Sequence, residues 1–542
     1  MPATFLDRLS ERVLILDGGM GTSLHRYHPT NADWGYSPDG QPLVNLSDAL
    51  VWTHPEWIRD IHRGFFAAGC DAVETNTFNS TPLVLKEFGV GHAVEELNRE
   101  NIRLAKEAAA EFSTPTRPRY VVGSVGPGTK MPSVLNDSIY AHFDDLYASY
   151  YPQMVAFIEG KVDAILVETC FDILQAKCAV ICALDAMKAK GIKLPLMVQL
   201  TIDQNSGNML PGTDIAGALT TLQAFKEIDV IGLNCAVGPD LMLTAIRHLS
   251  QYSTRFISVL PNAGLPEKRG DDTYFPLQPA ELAEWLDRFV HEFGVNIIGG
   301  CCGTTATHLK AVCERLHGAK PAKRSPVPES AVSSLFGSMN LQQEPRPLLV
   351  GERTNTNGSK KFKQLLEAED WNGLVEMARE QEREGVHILD VCTAFVGRDE
   401  VRDMREVIKR YNSIITKPLM IDSTEWQVIE SSLKLCSGKA IINSINLEDG
   451  RVKLDKIVPF LTWLECYGPV MGKKPTPRVQ ELVVEQRGAW WFGLYFVSVL
   501  IGTGALLLNW PWSFRLSAAA SSRASGSSAA SNISTSGSGG VT

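Results

Sequence analysis

The chain has 542 residues, with 52 Lys and Arg against 61 Asp and Glu, for a formal charge of −9. At 44% hydrophobic and 21% charged it has the make-up of a soluble globular protein. That excludes a collagen-like or mostly disordered chain, and there is none of the basic excess of a dedicated nucleic-acid binder. Eleven cysteines are too sparse for a disulfide scaffold, and the odd number with the adjacent pair Cys301 and Cys302 predicts a reducing compartment with thiols free for metal or chemistry.

The first twenty residues mix acids and bases ahead of a short apolar run ending at Asp17-Gly18-Gly19. That predicts a helix and a buried strand, not a secretory signal. The theme then repeats: a short apolar run, a polar or Gly-containing turn, an amphipathic stretch. Eight such runs fall at 13–18, 71–76, 120–126, 163–168, 194–202, 230–235, 256–264 and 296–301. Continuous apolar runs alternating with helices predict a parallel sheet covered on both faces. Eight units in this length predict an α/β fold of the (β/α)8 TIM barrel type over residues 1–316. The rival is a doubly wound sheet, which would usually carry a Gly fingerprint after its first strand; DGGMGT lacks the GxGxxG spacing.

Residues 317–346, rich in Pro, Ser and Ala, predict a linker. The theme restarts at 348–355, 388–393, 418–423 and 440–446, with helical stretches such as 371–384 between, and a further helix is plausible at 452–466. Four strands are half a barrel, with two open edges, so the second module at 347–465 reads as a partial (β/α) barrel. Residues 488–514 contain no charged residue and carry Trp near both ends, which predicts a C-terminal apolar helix long enough to cross a bilayer. More positive charges precede that segment than follow it, which would leave the globular part in the cytoplasm. Residues 515–542 are almost all Ser, Ala and Gly, a flexible tail.

Chemistry in a parallel barrel sits at the C-terminal ends of the strands. Cys235 ends the sixth run (VIGLNC), and Cys301 and Cys302 end the eighth (IIGGCCGTT), so the three sulfurs can converge on one rim. Three thiolates suit zinc, and three protein ligands leave its fourth position open, the mark of a catalytic site. A substrate thiol, with an ordinary pKa of about 8.5, would be deprotonated there and ready to attack carbon. The bland reading of a buried Cys, a small hydrophobe, goes to Cys70, Cys170, Cys178, Cys182, Cys313, Cys392, Cys436 and Cys466. Polar groups also end the strands of the second module: Glu352, Asn355, Asp390, Asp422 and Asn443. Carboxylates and amides on one rim suit a flat heterocycle with amino and ring N–H donors, which describes a pterin. The alternative is that these residues cap the following helices.

GLNC at 232–235 and GGCCGT at 299–304, opened by LDGGMGT at 16–22 and ETNTF at 74–78, resemble the homocysteine S-methyltransferase family over about residues 10–315. The resemblance implies zinc on Cys235, Cys301 and Cys302, with the homocysteine sulfur as fourth ligand. It also implies acidic side chains on the substrate ammonium, for which Asp17 and Glu168 are candidates, with Asn234 of GLNC as a further substrate-binding residue. Turn chemistry at Asp-Gly-Gly and a rim salt bridge are the bland readings of the two acids. VGERTN, LDV, MIDS and INSI resemble the pterin-binding folate module of the cobalamin-dependent methionine synthase family over about 348–459. That resemblance implies methyltetrahydrofolate as methyl donor and cobalamin as carrier, methylcobalamin then passing the methyl group to the thiolate. No Asp-x-His-x-x-Gly cobalamin motif occurs in this sequence, so a cobalamin-carrying domain or protein would act in trans. Betaine- or S-methylmethionine-dependent transfer shares the zinc motifs but has no use for a pterin site. A truncated or membrane-anchored, non-catalytic remnant that binds homocysteine or zinc is the alternative reading.

Overall fold

The computed structural model describes residues 3–270 and 272–443. The helix expected at 452–466, the uncharged segment 488–514, the tail 515–542 and Cys466 lie outside the described residues. Among the described residues no helix is long and apolar enough to cross a membrane.

Each of the first eight apolar runs forms a strand: β1 (Leu14–Ile15), β2 (Ala72–Glu74), β3 (Tyr120–Val125), β4 (Ala164–Cys170), β5 (Leu196–Leu200), β6 (Val230–Asn234), β7 (Phe256–Leu260) and β8 (Ile297–Ile298). All pair in parallel, in the order β1-β8-β7-β6-β5-β4-β3-β2. A doubly wound sheet reverses direction at a switch point. Here the order runs once round a ring, which makes the sheet a nearly closed TIM barrel. Alternate strand residues such as Val121, Ile165, Val198, Ile231 and Ile257 face the surrounding helices. The residues between them, among them Val122, Leu166, Met197 and Val230, join Phe5 and Leu9 in a second cluster. Phe5 and Leu9 come from helix Phe5–Glu11, held at its start by a reciprocal Thr4–Asp7 capping box. That helix covers the N-terminal end of the barrel and leaves the opposite rim for chemistry.

At the N-terminal end of β2 the seam between β1 and β2 is bridged by Asp71. The Asp71 N–H donates to the Ile15 carbonyl (2.7 Å). Its carboxylate accepts the Ile15 N–H (3.1 Å) and a forked pair from Arg12 (2.8 and 2.9 Å). Asp71 is wholly buried, so the guanidinium and the backbone amide stand in for water.

The second module forms β9 (Val350–Gly351), β10 (Ile388–Val391), β11 (Leu419–Asp422) and β12 (Ile441–Asn443), parallel and in chain order. The helix expected at 371–384 is Trp371–Arg383. Its core gathers Phe362, Leu366, Ala378, Val391, Ile408 and Ile421. The described residues fall in one compact unit, Met1–Ser444. Within the segment expected as a linker, residues 331–340 form a short hairpin, Ala331–Ser333 against Ser338–Asn340. Ser333 bonds the barrel through Thr221 Oγ1 (2.8 Å) and the second module through the Lys439 N–H (2.8 Å). Nearby, the buried Lys177 ammonium donates to the carbonyls of Cys436 (2.7 Å) and Gly438 (3.1 Å), and Ser133 Oγ meets Ser437 Oγ (2.7 Å). Backbone carbonyls held at fixed spacing thus tie the two modules together.

Asp71→Ala leaves Arg12 and the Ile15 amide without their partner at the seam. The expected cost is about 3 kcal/mol of stability, read as a lower urea midpoint of unfolding.

Candidate functional site

The C-terminal ends of the barrel strands carry the polar residues. Cys235 directly follows β6, and Cys301 and Cys302 follow β8 across two glycines. The three sulfurs lie within 4.8 Å of one another, and Cys235 Sγ is 3.7 Å from Cys302 Sγ. A tetrahedral ion about 2.3 Å from each sulfur sets an S···S separation near 3.8 Å. The Cys235 and Cys302 sulfurs therefore already stand at the spacing such an ion needs, with Cys301 Sγ inside the same 4.8 Å cluster.

The backbone is bent to bring them there. Cys235 and Ala236 both adopt φ +60°, a left-handed conformation that costs L-residues roughly 1–2 kcal/mol each. Gly303 has φ +78°, and a Cβ at Gly300 would fall 2.3 Å from the Thr304 side chain. The loop is pinned by Cys301 N–H to the Pro261 carbonyl (2.8 Å) and Cys302 N–H to Asn262 Oδ1 (3.1 Å). The Cys235 thiol is held well below its ordinary pKa, because the Cys301 and Cys302 thiols donate to its sulfur. Their own values rise in return, that of Cys302 to about 12.

Three carboxyl groups share the same end of the barrel. Asp17 is 1% exposed; its Oδ2 accepts the Glu74 N–H (3.1 Å) and its Oδ1 has no partner. It caps no turn. Glu74 ends β2, and its Oε1 is likewise buried and unpaired. Glu168 accepts from Ser124 Oγ and from Asn234 Nδ2 (2.8 Å) and bonds the Glu74 carboxyl. Burial pushes all three upward, Glu168 to about 7, and the charge of Glu168 adds to the rise at Asp17 and Glu74. Among the described residues no Lys or Arg pairs with any of the three. Asn234 braces this cluster: its Nδ2 also reaches Thr169 Oγ1 (2.9 Å), and its Oδ1 accepts the N–H of Thr169, which sits at φ +55°. Glu74 and Asn262 were not among the residues expected from sequence. Glu74 could have been found by the rule that found Asp17 and Glu168, since it too ends a strand. Asn262 lies two residues beyond β7, where only the fold reveals its contact.

In the second module Asn355, Asp390, Asp422 and Asn443 meet at the ends of β9 to β12. Asn355 Nδ2 donates to Asp390 Oδ2 and Asp422 Oδ2 (2.8 Å each), and Asn443 Nδ2 reaches Asp390 Oδ1 (3.4 Å). The described helices of this module are capped by other residues, among them Asp399 and Ser359. Glu352 is exposed on the same rim, and its charge, after burial and Asp390, helps to raise the Asp422 carboxyl.

Residues 14–316 match the family model for homocysteine S-methyltransferase, and residues 351–478 match that for pterin binding enzymes. The methionine synthase of Mycobacterium tuberculosis is 41% identical over 445 residues, covering 82% of this chain and 36% of the relative. That of Mycobacterium leprae is 40% identical over 450 residues, with the same coverage of 82% and 36%. The chain therefore spans about a third of the length of these curated relatives. The metallated homocysteine methyltransferase MmuM of Escherichia coli aligns at a TM-score of 0.45 and 21% identity, over 57% of this chain and 98% of that one.

Of the ten described cysteines only Cys235, Cys301 and Cys302 are not buried. Prolonged iodoacetamide treatment of the native chain after chelation of any bound metal, followed by peptide mapping, is expected to modify these three. Cys70, Cys170, Cys178, Cys182, Cys313, Cys392 and Cys436 should react only after denaturation.

Proposed function

The chain belongs to the homocysteine S-methyltransferase family, and from that membership we propose that its barrel binds zinc through Cys235, Cys301 and Cys302 and methylates the thiol of homocysteine to give methionine. The observation that carries this reading is the pairing of a three-sulfur cluster with a set of buried carboxyls that has no cation of its own. When bound, the zinc ion supplies the positive charge that deprotonates a ligating thiol.

The remaining work falls to the chain. An ammonium group brings three N–H donors, and Asp17 Oδ1 and Glu74 Oε1 are the acceptors without partners. The Glu168 oxygens are already engaged by Ser124 and Asn234, so this residue acts mainly through its charge. Seating the ammonium there fixes the amino acid with its side-chain sulfur toward the cysteines, and orientation of this kind is a large part of catalysis by transfer. Asn262 holds the Cys302 backbone so that the loop does not drift.

The second module extends the reading. Asp390, Asp422 and Asn443, with Glu352 at the rim, hold the pterin of methyltetrahydrofolate as methyl donor. The methyl carrier is cobalamin, presented by a separate domain or protein. The order of the two family matches and the named relatives support this assignment. The enzyme works in the cytoplasm, where the thiols stay reduced; the length and lack of charge of the segment at 488–514 support a membrane attachment there.

Zinc analysis of the purified chain is expected to give one ion per chain, and Cys302→Ala less than a tenth of that. Full occupancy in the variant would sink the metal assignment. Asp17→Asn and Glu74→Gln should each weaken homocysteine binding by about ten- to a hundredfold, as expected on truncating one side of a buried charge pair. Affinity for the analogue lacking the amino group, 4-mercaptobutyrate, should stay unchanged, and so should zinc content. Equal losses for both thiols would show that these carboxyls do not read the ammonium.

A further inference from the structure

Sequence places Asn355 among the residues that touch the pterin, but every hydrogen of its side-chain amide is already committed. The two Nδ2 hydrogens go one each to Asp390 Oδ2 and Asp422 Oδ2, both at 2.8 Å. Oδ1 accepts the Asn357 N–H (2.8 Å). This last bond fixes the amide's orientation, because a flipped amide would set its oxygen against two carboxylates and its NH2 against a backbone donor. The backbone around it is equally fixed: Cys392 N–H donates to the Thr354 carbonyl (3.2 Å) and Thr356 N–H to the Cys392 carbonyl (3.1 Å), extending β9 along β10. Asn355 is 8% exposed, and Asp390 3%.

We propose that Asn355 is a positioning residue of the pterin site, whose one NH2 group clamps the carboxylates of Asp390 and Asp422 side by side so that both stay free to accept from the ligand. This rests on the pterin reading given above. The physical need is plain. Two carboxylates drawn to one nitrogen repel each other, and without a shared donor such a pair relieves the repulsion by taking up a proton. A protonated member can no longer accept from a ring N–H. The other groups that act on the pair do not help: Glu352 raises the Asp422 carboxyl, and Glu400 and Cys392 each feel its charge. Among the described residues no Lys or Arg acts on Asp422, and Glu425 adds its charge to that side of the rim through Glu400. Asn443 Nδ2 donates to Asp390 Oδ1 alone, at 3.4 Å. The Asn355 amide is the donor shared by both carboxylates.

The test is binding of methyltetrahydrofolate to the full chain, by calorimetry, from pH 6 to 8.5. Asn355→Ala is expected to bind at least tenfold more weakly than the native chain at pH 6.5. The loss should shrink to within threefold at pH 8.5, where both carboxyls are again ionised. A residue that touched the pterin directly would give the same loss at every pH, and that result, or no loss, overturns the inference. In Asn355→Ala/Asp422→Asn the repelling partner is gone, so binding should be weak but flat with pH; a persisting slope also overturns it. Should the alanine chain fail to fold, Asn355→Asp keeps the shape and the Asn357 contact but replaces the donor by a third carboxyl. Its pH dependence should be steeper in the same direction, and a flat profile counts against the clamp. If the native chain itself binds no methyltetrahydrofolate at any pH, the pterin reading fails and this inference with it. Native binding with a flat loss in the variants removes the inference alone.

Discussion

Sulfurs from two strands that are not neighbours can meet only where a third strand between them is short enough to be bridged. β7 separates β6 from β8, and the thiols of Cys235 and Cys302 close over its end to 3.7 Å. That approach depends on the curvature of the barrel, which tips successive strand ends toward a common axis. It also depends on left-handed backbone at Cys235 and Ala236, conformations that persist only when the surroundings over-determine them. The surroundings here are backbone bonds to the end of β7: Cys235 N–H to Leu260 O, Cys301 N–H to Pro261 O and Ala263 N–H to Cys302 O. The strand in the middle acts as the template on which the two cysteine loops are cast.

The same rim concentrates negative charge that the chain leaves unpaired. Asp71 shows what this fold does with a buried carboxylate that serves structure: Arg12 binds it through two bonds. Asp17, Glu74 and Glu168 receive no such partner. Burying acids without a cation is costly, and the group neutralises unless something charged arrives. A site built this way favours a cationic ligand because the ligand relieves a cost the apo protein carries.

The two modules use one architectural rule at different degrees of completion. In both, polar side chains stand at the C-terminal ends of parallel strands, and in both an asparagine braces carboxylates: Asn234 with Glu168, Asn355 with Asp390 and Asp422. Both amides have their hydrogens engaged inside the protein, so they hold charge in place. The modules are joined by bonds to fixed backbone through Ser333 and Lys177, and by the hydroxyl pair of Ser133 and Ser437, which suits a joint that keeps its geometry.

The sequence by itself determined the strands, the barrel and the thiols. A strand buried on both faces must be apolar along its whole length, and the polar residue that ends it must sit at the rim. Each of the eight runs, the four later ones and the three cysteines at 235, 301 and 302 follows from that rule. The rule also covers Asp17, Glu168, Asp390 and Asp422. Tertiary structure alone decided who bonds whom: that Asp71 reaches across the seam, that the hairpin at 331–340 touches both modules, that the Glu74 N–H meets the Asp17 carboxylate, and that Asn355 faces two aspartates. These are contacts between residues 35 to 112 apart in the chain. No local pattern encodes them, because periodicity reports only which face a side chain occupies, and a hydrogen-bond partner is fixed by where a distant segment happens to come to rest.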